Sequence, residues 1–289
     1  MNEPRCPVCE SSALLPFARI RGFPIARCRS CGMRVVHPLP AESEILGLYS
    51  TDYFEGGGHG YRSYVDDEEI HRGTARKRLA ALRRHVATGC VLDVGCASGF
   101  FLEEARGAGF SVRGVEVCAE IAEMARERFG LDVETGELSA SRATPGSVDV
   151  VTFFNVLAHL PDPLAALRKA HELLRPGGAL VIETWDADSP AARLLGRRWP
   201  LYNPPSVLYY LGRSSLPRML ERAGFQVIAR QGGGKTISIR EAASMLRNQY
   251  PGRLSGALDT WLSGRVPGAG LRIPLGMGQL LTVVALRNP

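Results

Sequence analysis

The stretch Val91-Leu92-Asp93-Val94-Gly95-Cys96-Ala97-Ser98-Gly99-Phe100-Phe101-Leu102 limits the fold more than any other part of the chain. It reads as a buried strand that ends in Asp-x-Gly-x-x-x-Gly and runs directly into a helix. Glycines at such a junction let the backbone turn sharply and come close to a ligand. Short β-branched runs then alternate with helical stretches, the pattern of a parallel sheet covered by helices. Strands are expected near 91–94, 112–116, 133–135, 148–154 and 179–184, and helices near 100–106, 119–129 and 163–174. Arg175-Pro176-Gly177-Gly178 stops the third helix. A capped helix near 215–223 and strands near 226–230 and 280–286 complete the pattern.

The fold class expected is therefore α/β. Its form is a Rossmann-like, doubly wound and mostly parallel sheet of seven strands with the last antiparallel, beside a small N-terminal zinc ribbon. The domains expected are a ribbon over 1–40, an aromatic and Gly-rich bridge or cap over 41–73, and a cofactor domain over 74–289 with an insertion near 232–278. Tyr49, Tyr53-Phe54, Gly56-Gly57-Gly58 and Tyr61 to Tyr64 mark the bridge. Residues 74–86 read as a helix with Leu79, Leu82 and Val86 on one face and Arg76-Lys77-Arg78 on a solvated one. In the insertion, Leu254, Leu258, Trp261 and Leu262 share a helical spacing that suits packing.

The ribbon reading rests on cysteine spacing. Cys6-Pro7-Val8-Cys9 and Cys28-Arg29-Ser30-Cys31 are two Cys-x-x-Cys pairs 18 residues apart, in a segment with too little apolar sequence to build its own core. Four thiolates complete the tetrahedral shell of a structural zinc site, with iron the alternative for the same ligands. Cys90, Cys96 and Cys118, at strand ends, read as small packed residues.

With 289 residues, 45% hydrophobic and 22% charged, the composition is that of a globular protein, neither disordered nor membrane-embedded. No apolar run approaches the roughly 20 residues of a spanning helix, and the start Met1-Asn2-Glu3-Pro4-Arg5-Cys6 has no signal-peptide form. The expected location is the cytoplasm. The net charge of +6 is small and scattered, so a nucleic-acid partner is not expected.

Taken together, the Asp93 to Gly99 loop, Gly114-Val115-Glu116, Gly136-Glu137-Leu138, the run from Val148 to Leu160 and Leu174-Arg175-Pro176-Gly177-Gly178 resemble class I S-adenosylmethionine-dependent methyltransferases. The resemblance is close over 74–190 and looser to 286. It implies a cofactor site of Asp93, Gly95, Cys96, Ala97, Gly99, Phe100, Glu116, Val117, Gly136, Glu137, Leu138, Asn155 and Val156. In it, Asp93, Gly95 and Gly99 surround the methionine part, Glu116 holds the ribose, and Glu137 or its neighbouring backbone meets the adenine. Two positions depart from the family: Ala97 stands where glycine is common, and Asn155 where an acid is frequent.

A zinc ribbon ahead of such a domain resembles a bacterial group associated with sugars, glycolipids and natural products. The implied function is methyl transfer from S-adenosylmethionine to a small hydroxylated acceptor, with a sugar or lipid-linked precursor as the first candidate. An RNA methyltransferase and a catalytically silent, cofactor-binding scaffold protein are the alternatives. His159, following the fourth strand, is the candidate to orient or deprotonate the acceptor, although a histidine there can also simply pack. Tyr202 and Tyr209 are the other catalytic candidates, from an aromatic segment with Trp199 and Tyr210 placed where relatives build the acceptor pocket. Relatives carry Pro-Glu-His before the aromatic pair, whereas this chain reads Pro205-Ser206-Val207.

Overall fold

Hydrophobic residues that alternate along the central strands divide between two cores, one on each face of a single sheet. In the computed structural model, which describes residues 5–49, 68–238 and 272–288, these strands are β4 (Cys90–Val94), β5 (Ser111–Glu116), β6 (Val133–Thr135), β7 (Val148–Phe154), β8 (Leu174–Trp185), β10 (Phe225–Ser238) and β11 (Arg272–Arg287). Leu92, Val151, Phe153, Leu180 and Ile182 enter one core, while Val91, Val150, Phe154, Ala179 and Val181 enter the other. This is the period-2 alternation of a sheet buried on both faces.

The first core is shared with helices α5 (Pro163–Leu173) and α7 (Leu216–Arg222), between which the chain forms the short helix α6 (Pro190–Leu195). The second is shared with α2 (Glu68–Leu82), α3 (Phe100–Gly107) and α4 (Ala119–Phe129). Strand order is β10-β11-β8-β7-β4-β5-β6. β4 lies parallel to β5 and β7, and β11 runs antiparallel to both β8 and β10. The expected seven-stranded fold with an antiparallel last strand is present. The order turns back at β4, so a crevice opens at the carboxyl ends of β4 and its neighbours.

Helix α2 begins and ends earlier than the sequence pattern indicates. Its first turn carries Glu68 and Glu69, which favour a helix N-terminus electrostatically without contributing apolar periodicity. Strands β10 and β11 extend into the expected insertion, pairing out to Ser238 and Arg272, and a register shift between Gly233 and Lys235 absorbs the glycine run. The bridge aromatics Tyr53, Phe54, Tyr61 and Tyr64 and the insertion residues Leu254, Leu258, Trp261 and Leu262 lie outside the described residues.

The N-terminal strands β1 (Leu14–Ile20), β2 (Phe23–Cys28) and β3 (Arg34–Val36) form a second sheet, ordered β1-β2-β3-β9. Its fourth strand, β9 (Tyr209–Tyr210), comes from the cofactor domain and pairs Val35 with Tyr209 and Arg34 with Tyr210. One face of this sheet presents Ala26, Val35 and Tyr209 to the core containing α7, and the other gathers Ile25, Val36 and Tyr210 with Trp199 and Tyr202. The ribbon is therefore a wall of the main domain. Helix α1 (Glu42–Leu46) leads from it back toward the crevice.

Candidate active site and cysteine cluster

Glycine is required at the turn after β4 for a steric reason. Gly95 has φ of 68°, and a Cβ there would stand 2.4 Å from Cγ2 of Val156. Its N–H donates to the Val115 carbonyl at 2.7 Å, tying the turn to β5. Ala97, the departure from the family pattern, holds φ of 48°, a left-handed conformation that costs about 1 kcal/mol for a residue with a Cβ. A hydrogen bond offsets that strain, since the Ala97 N–H donates to Oε2 of Glu116 at 3.0 Å. The Cys118 N–H donates to Oε1 at 3.0 Å. Two backbone donors thus aim the Glu116 carboxylate, and burial raises its pKa above the ordinary value.

Asp93 lies next to the end of β4 and accepts from the Thr152 hydroxyl at 2.6 Å. Burial raises its pKa to about 7, with the Thr152 hydrogen bond working the other way. Gly99 initiates α3, where Phe100 is buried, and Cys96 and Leu138 are buried alongside. Gly136 donates its N–H to the Glu116 carbonyl at 2.8 Å, whereas the Glu137 side chain is exposed. Cys118 is buried and Cys90 half-buried.

Asn155 follows β7 with φ of 59°, which asparagine tolerates better than most residues. Its N–H donates to the Glu183 carbonyl at 2.7 Å and its Nδ2 to the Glu183 carboxylate at 3.0 Å. The amide is thereby oriented. Its Oδ1 is buried without a partner, as is the Ser98 hydroxyl. Glu183 also holds Arg78, whose Nε donates at 3.0 Å and whose guanidinium lies 4.4 Å from the Phe154 ring centroid. Arg76 and Lys77 are exposed as expected, but Arg78 is turned inward, which corrects the solvated face for that one residue: a buried carboxylate needs a cation more than this arginine needs water.

These residues suit the cofactor implied by the resemblance. Glu116 offers an oriented carboxylate for hydroxyl donors, and Ser98 and Asn155 keep polar atoms buried and unmet at the carboxyl ends of β4 and β7.

Beside Asn155, a narrow recess is lined by Ala158, His159, Thr184, Trp185, Trp199, Leu201, Val207, Tyr209 and Tyr210. His159 lies in a short 3₁₀ turn after β7 and is half-buried. Burial holds its pKa down at about 4. Its Nδ1 is 3.0 Å from the hydroxyl of Tyr49, which in turn donates to the Ser206 carbonyl at 3.0 Å. Tyr209 lines the recess but gives its hydroxyl proton to the Pro161 carbonyl at 2.9 Å. The structure does not bring Tyr202 to the recess: it is fully buried between Trp199 and Tyr210, and burial raises its phenol to about 12.

The ligand atoms of Cys6, Cys9, Cys28 and Cys31 lie within 4.8 Å of one another. Sγ of Cys6 is 3.6 Å from that of Cys31, and Sγ of Cys9 is 3.5 Å from that of Cys28. Metal–sulfur bonds of about 2.3 Å require tetrahedral edges of roughly 3.8 Å, so the donor set fits a zinc ion. The Cys31 thiol beside it lowers the Cys6 pKa to about 5. From α7, Arg222 donates to the carbonyls of Pro7 at 3.0 Å and Val8 at 2.7 Å. Arg218 donates to that of Ser30 at 3.1 Å, so both cysteine knuckles are gripped by one helix.

Sequence reasoning missed Arg78, Glu183 and the role of Tyr49. A glutamate directly after the apolar run Ala179-Leu180-Val181-Ile182 was the available signal, because such a carboxylate demands a partner.

Residues 65–230 match a family model described as a methyltransferase domain. Among curated relatives, the ubiquinone biosynthesis O-methyltransferase of Pseudomonas paraeruginosa is 34% identical over 108 residues, 35% of this chain and 47% of that protein. The protein of the same name from Ralstonia nicotianae is 30% identical over 178 residues, 59% of this chain and 71% of that one. The chain spans about half the length of the first of these curated relatives. A solved structure, Burkholderia thailandensis 1,6-didemethyltoxoflavin-N1-methyltransferase with bound 1,6-didemethyltoxoflavin and S-adenosylhomocysteine, superposes with a TM-score of 0.56. That likeness has 20% identity and covers 95% of this chain and 99% of that one.

Proposed function

This chain belongs to the family of S-adenosylmethionine-dependent methyltransferases, and on that premise we propose that it methylates a hydroxyl group on a small, flat, apolar acceptor. The lining of the recess carries the proposal: Trp185, Trp199, Leu201, Val207, Tyr209 and Tyr210 make its walls mainly aromatic and aliphatic, with Asn155, His159 and Thr184 as the polar points. A hydroxylated aromatic ring matches that surface. A sugar or glycolipid head, the acceptor suggested by the ribbon, carries many hydroxyls that this lining leaves without partners. The name of the ubiquinone relatives agrees with a hydroxylated ring. For RNA, a basic stripe would be needed, yet Arg72, Arg76 and Arg78 of α2 are paired with Glu68, Glu69, Glu103, Glu104 and Glu183.

When bound, S-adenosylmethionine supplies a methyl group activated on a sulfonium. Glu116 would hold the ribose hydroxyls, Asp93, Gly95, Cys96, Ala97, Gly99 and Phe100 the methionine side, and Val117, Gly136, Glu137 and Leu138 the adenine, with Asn155 and Val156 closing the acceptor side. The walls orient the acceptor and exclude water. His159, neutral at pH 7, offers a lone pair to the acceptor hydroxyl. A group with a pKa of about 4 is too weak to ionise a phenol beforehand, but it suffices to take the proton once the oxygen has gained the methyl group and become strongly acidic. The cysteines Cys6, Cys9, Cys28 and Cys31 would hold one structural zinc ion.

Turnover of methyl-labelled S-adenosylmethionine with hydroxylated aromatics, nucleotide sugars, glycolipids and RNA tests this reading. Transfer to the aromatics is expected, with His159→Ala lowering kcat by about 10²-fold at unchanged cofactor affinity. Glu116→Ala weakens cofactor binding by about 1.5 to 3 kcal/mol. Transfer confined to sugars or RNA overturns the proposal.

A further inference from the structure

Tyr49 lies outside the cofactor motifs, yet its hydroxyl sits between two groups of the acceptor site. It is 3.0 Å from the Ser206 carbonyl and 3.0 Å from Nδ1 of His159, with the two rings edge to face at 76°. A phenol carries one proton, and a carbonyl can only accept. Burial, and then the charge of Glu116, raise the Tyr49 phenol, so that proton stays on. It points to Ser206. The Tyr49 oxygen must then accept from His159, and the hydrogen in that contact belongs to Nδ1.

We propose that Tyr49 is a positioning residue that fixes His159 as its Nδ1–H tautomer, leaving Nε2 as the lone-pair atom offered to the acceptor. The inference rests on the acceptor role given to His159 above. Free neutral imidazole favours the other tautomer, with the proton on Nε2, in which the ring would present a donor to the acceptor hydroxyl. A hydroxyl held by a donor uses a lone pair of the attacking oxygen and has nowhere to send its proton. Tyr49 thus selects between a ring that assists methyl transfer and one that opposes it, as a second partner commonly decides which histidine nitrogen carries the proton. The contact also links the segment after α1 to the recess, so residues between the ribbon and the main domain take part in the acceptor site.

Long-range proton–nitrogen spectra of ¹⁵N-histidine-labelled protein, saturated with S-adenosylhomocysteine, read the tautomer without any acceptor. The His159 signal, identified by its loss in His159→Ala, is expected in the Nδ1–H form, and in Tyr49→Phe a large part of it moves to the Nε2–H form. With an aromatic acceptor that is turned over, Tyr49→Phe should lower kcat about 10-fold while the KM for S-adenosylmethionine holds. Adding it to His159→Ala should cost nothing further, because Tyr49 acts through that ring. An Nε2–H signal in the wild-type protein overturns the inference, as does full additivity of the two substitutions. An Nδ1–H signal that Tyr49→Phe leaves unchanged also overturns it. Absence of transfer to aromatics, with the Nδ1–H signal present, counts against the proposed acceptor and leaves the tautomer assignment standing.

Discussion

Arg78 on α2 and Glu183 in β8 meet as a largely buried ion pair, and the same carboxylate orients the amide of Asn155. The arginine is further enclosed by the Phe154 ring, so the pair is screened little by water. Breaking a pair of this kind strands a buried charge, at a cost of about 3 to 5 kcal/mol. Arg78→Ala is expected to lower unfolding stability on that scale and to weaken cofactor binding through the loosened Asn155. Arg78→Met combined with Glu183→Gln should recover most of the stability, since neither partner then carries an unpaired charge. Urea unfolding of the three proteins checks this, and equal losses in the single and double variants would contradict it.

The fold was legible because its determinants are local. Alternation along β4, β7 and β8 and the breakers after α5 give strands and helices from their own residues. The Asp93 to Gly99 loop, with Glu116 on the next strand, likewise declares a crevice at the sheet's turning point. Contacts between distant segments were not legible. Nothing in Arg76-Lys77-Arg78 says which arginine meets a carboxylate more than a hundred residues away, and nothing near Tyr209 announces that it completes the ribbon's sheet. Tyr202 and Tyr209 looked alike as phenols near a pocket, but only tertiary packing buries the first and commits the second to Pro161.

The low pKa of His159 makes a prediction about acid stability. The folded protein protonates this ring only near pH 4, whereas the unfolded chain does so near 6.5. Between these values the unfolded state binds more protons, so stability falls as pH is lowered through that window. His159→Gln is expected to remove about 1 to 3 kcal/mol of this dependence. Asp93 opposes the trend, because its raised pKa of about 7 makes the folded state the better proton binder between roughly pH 4 and 7. Unfolding free energies at intervals from pH 4 to 7.5 for wild type, His159→Gln and Asp93→Asn separate the two. A slope unchanged by His159→Gln would show that the ring is not held neutral.

Metal removal should reach the acceptor recess as well as the ribbon. Arg222 and Arg218 of α7 bind carbonyls inside both cysteine knuckles, and β3 holds β9 by backbone pairing. Once the thiolates lose their ion, the knuckles lose their shape, and α7 and Tyr209–Tyr210 lose partners together. The purified protein is expected to contain one zinc per chain. Its chelation should speed amide exchange in 5–36, in Tyr209–Tyr210 and in Leu216–Arg222, while β4 and β5 stay protected and S-adenosylhomocysteine still binds. Arg222→Ala, which leaves all four cysteines in place, should release zinc to a chelator several-fold faster. Exchange that rises in the ribbon alone would mean the docking survives without the metal. A protein with no bound zinc and full protection across 5–36 would show that apolar packing alone holds the ribbon against the sheet.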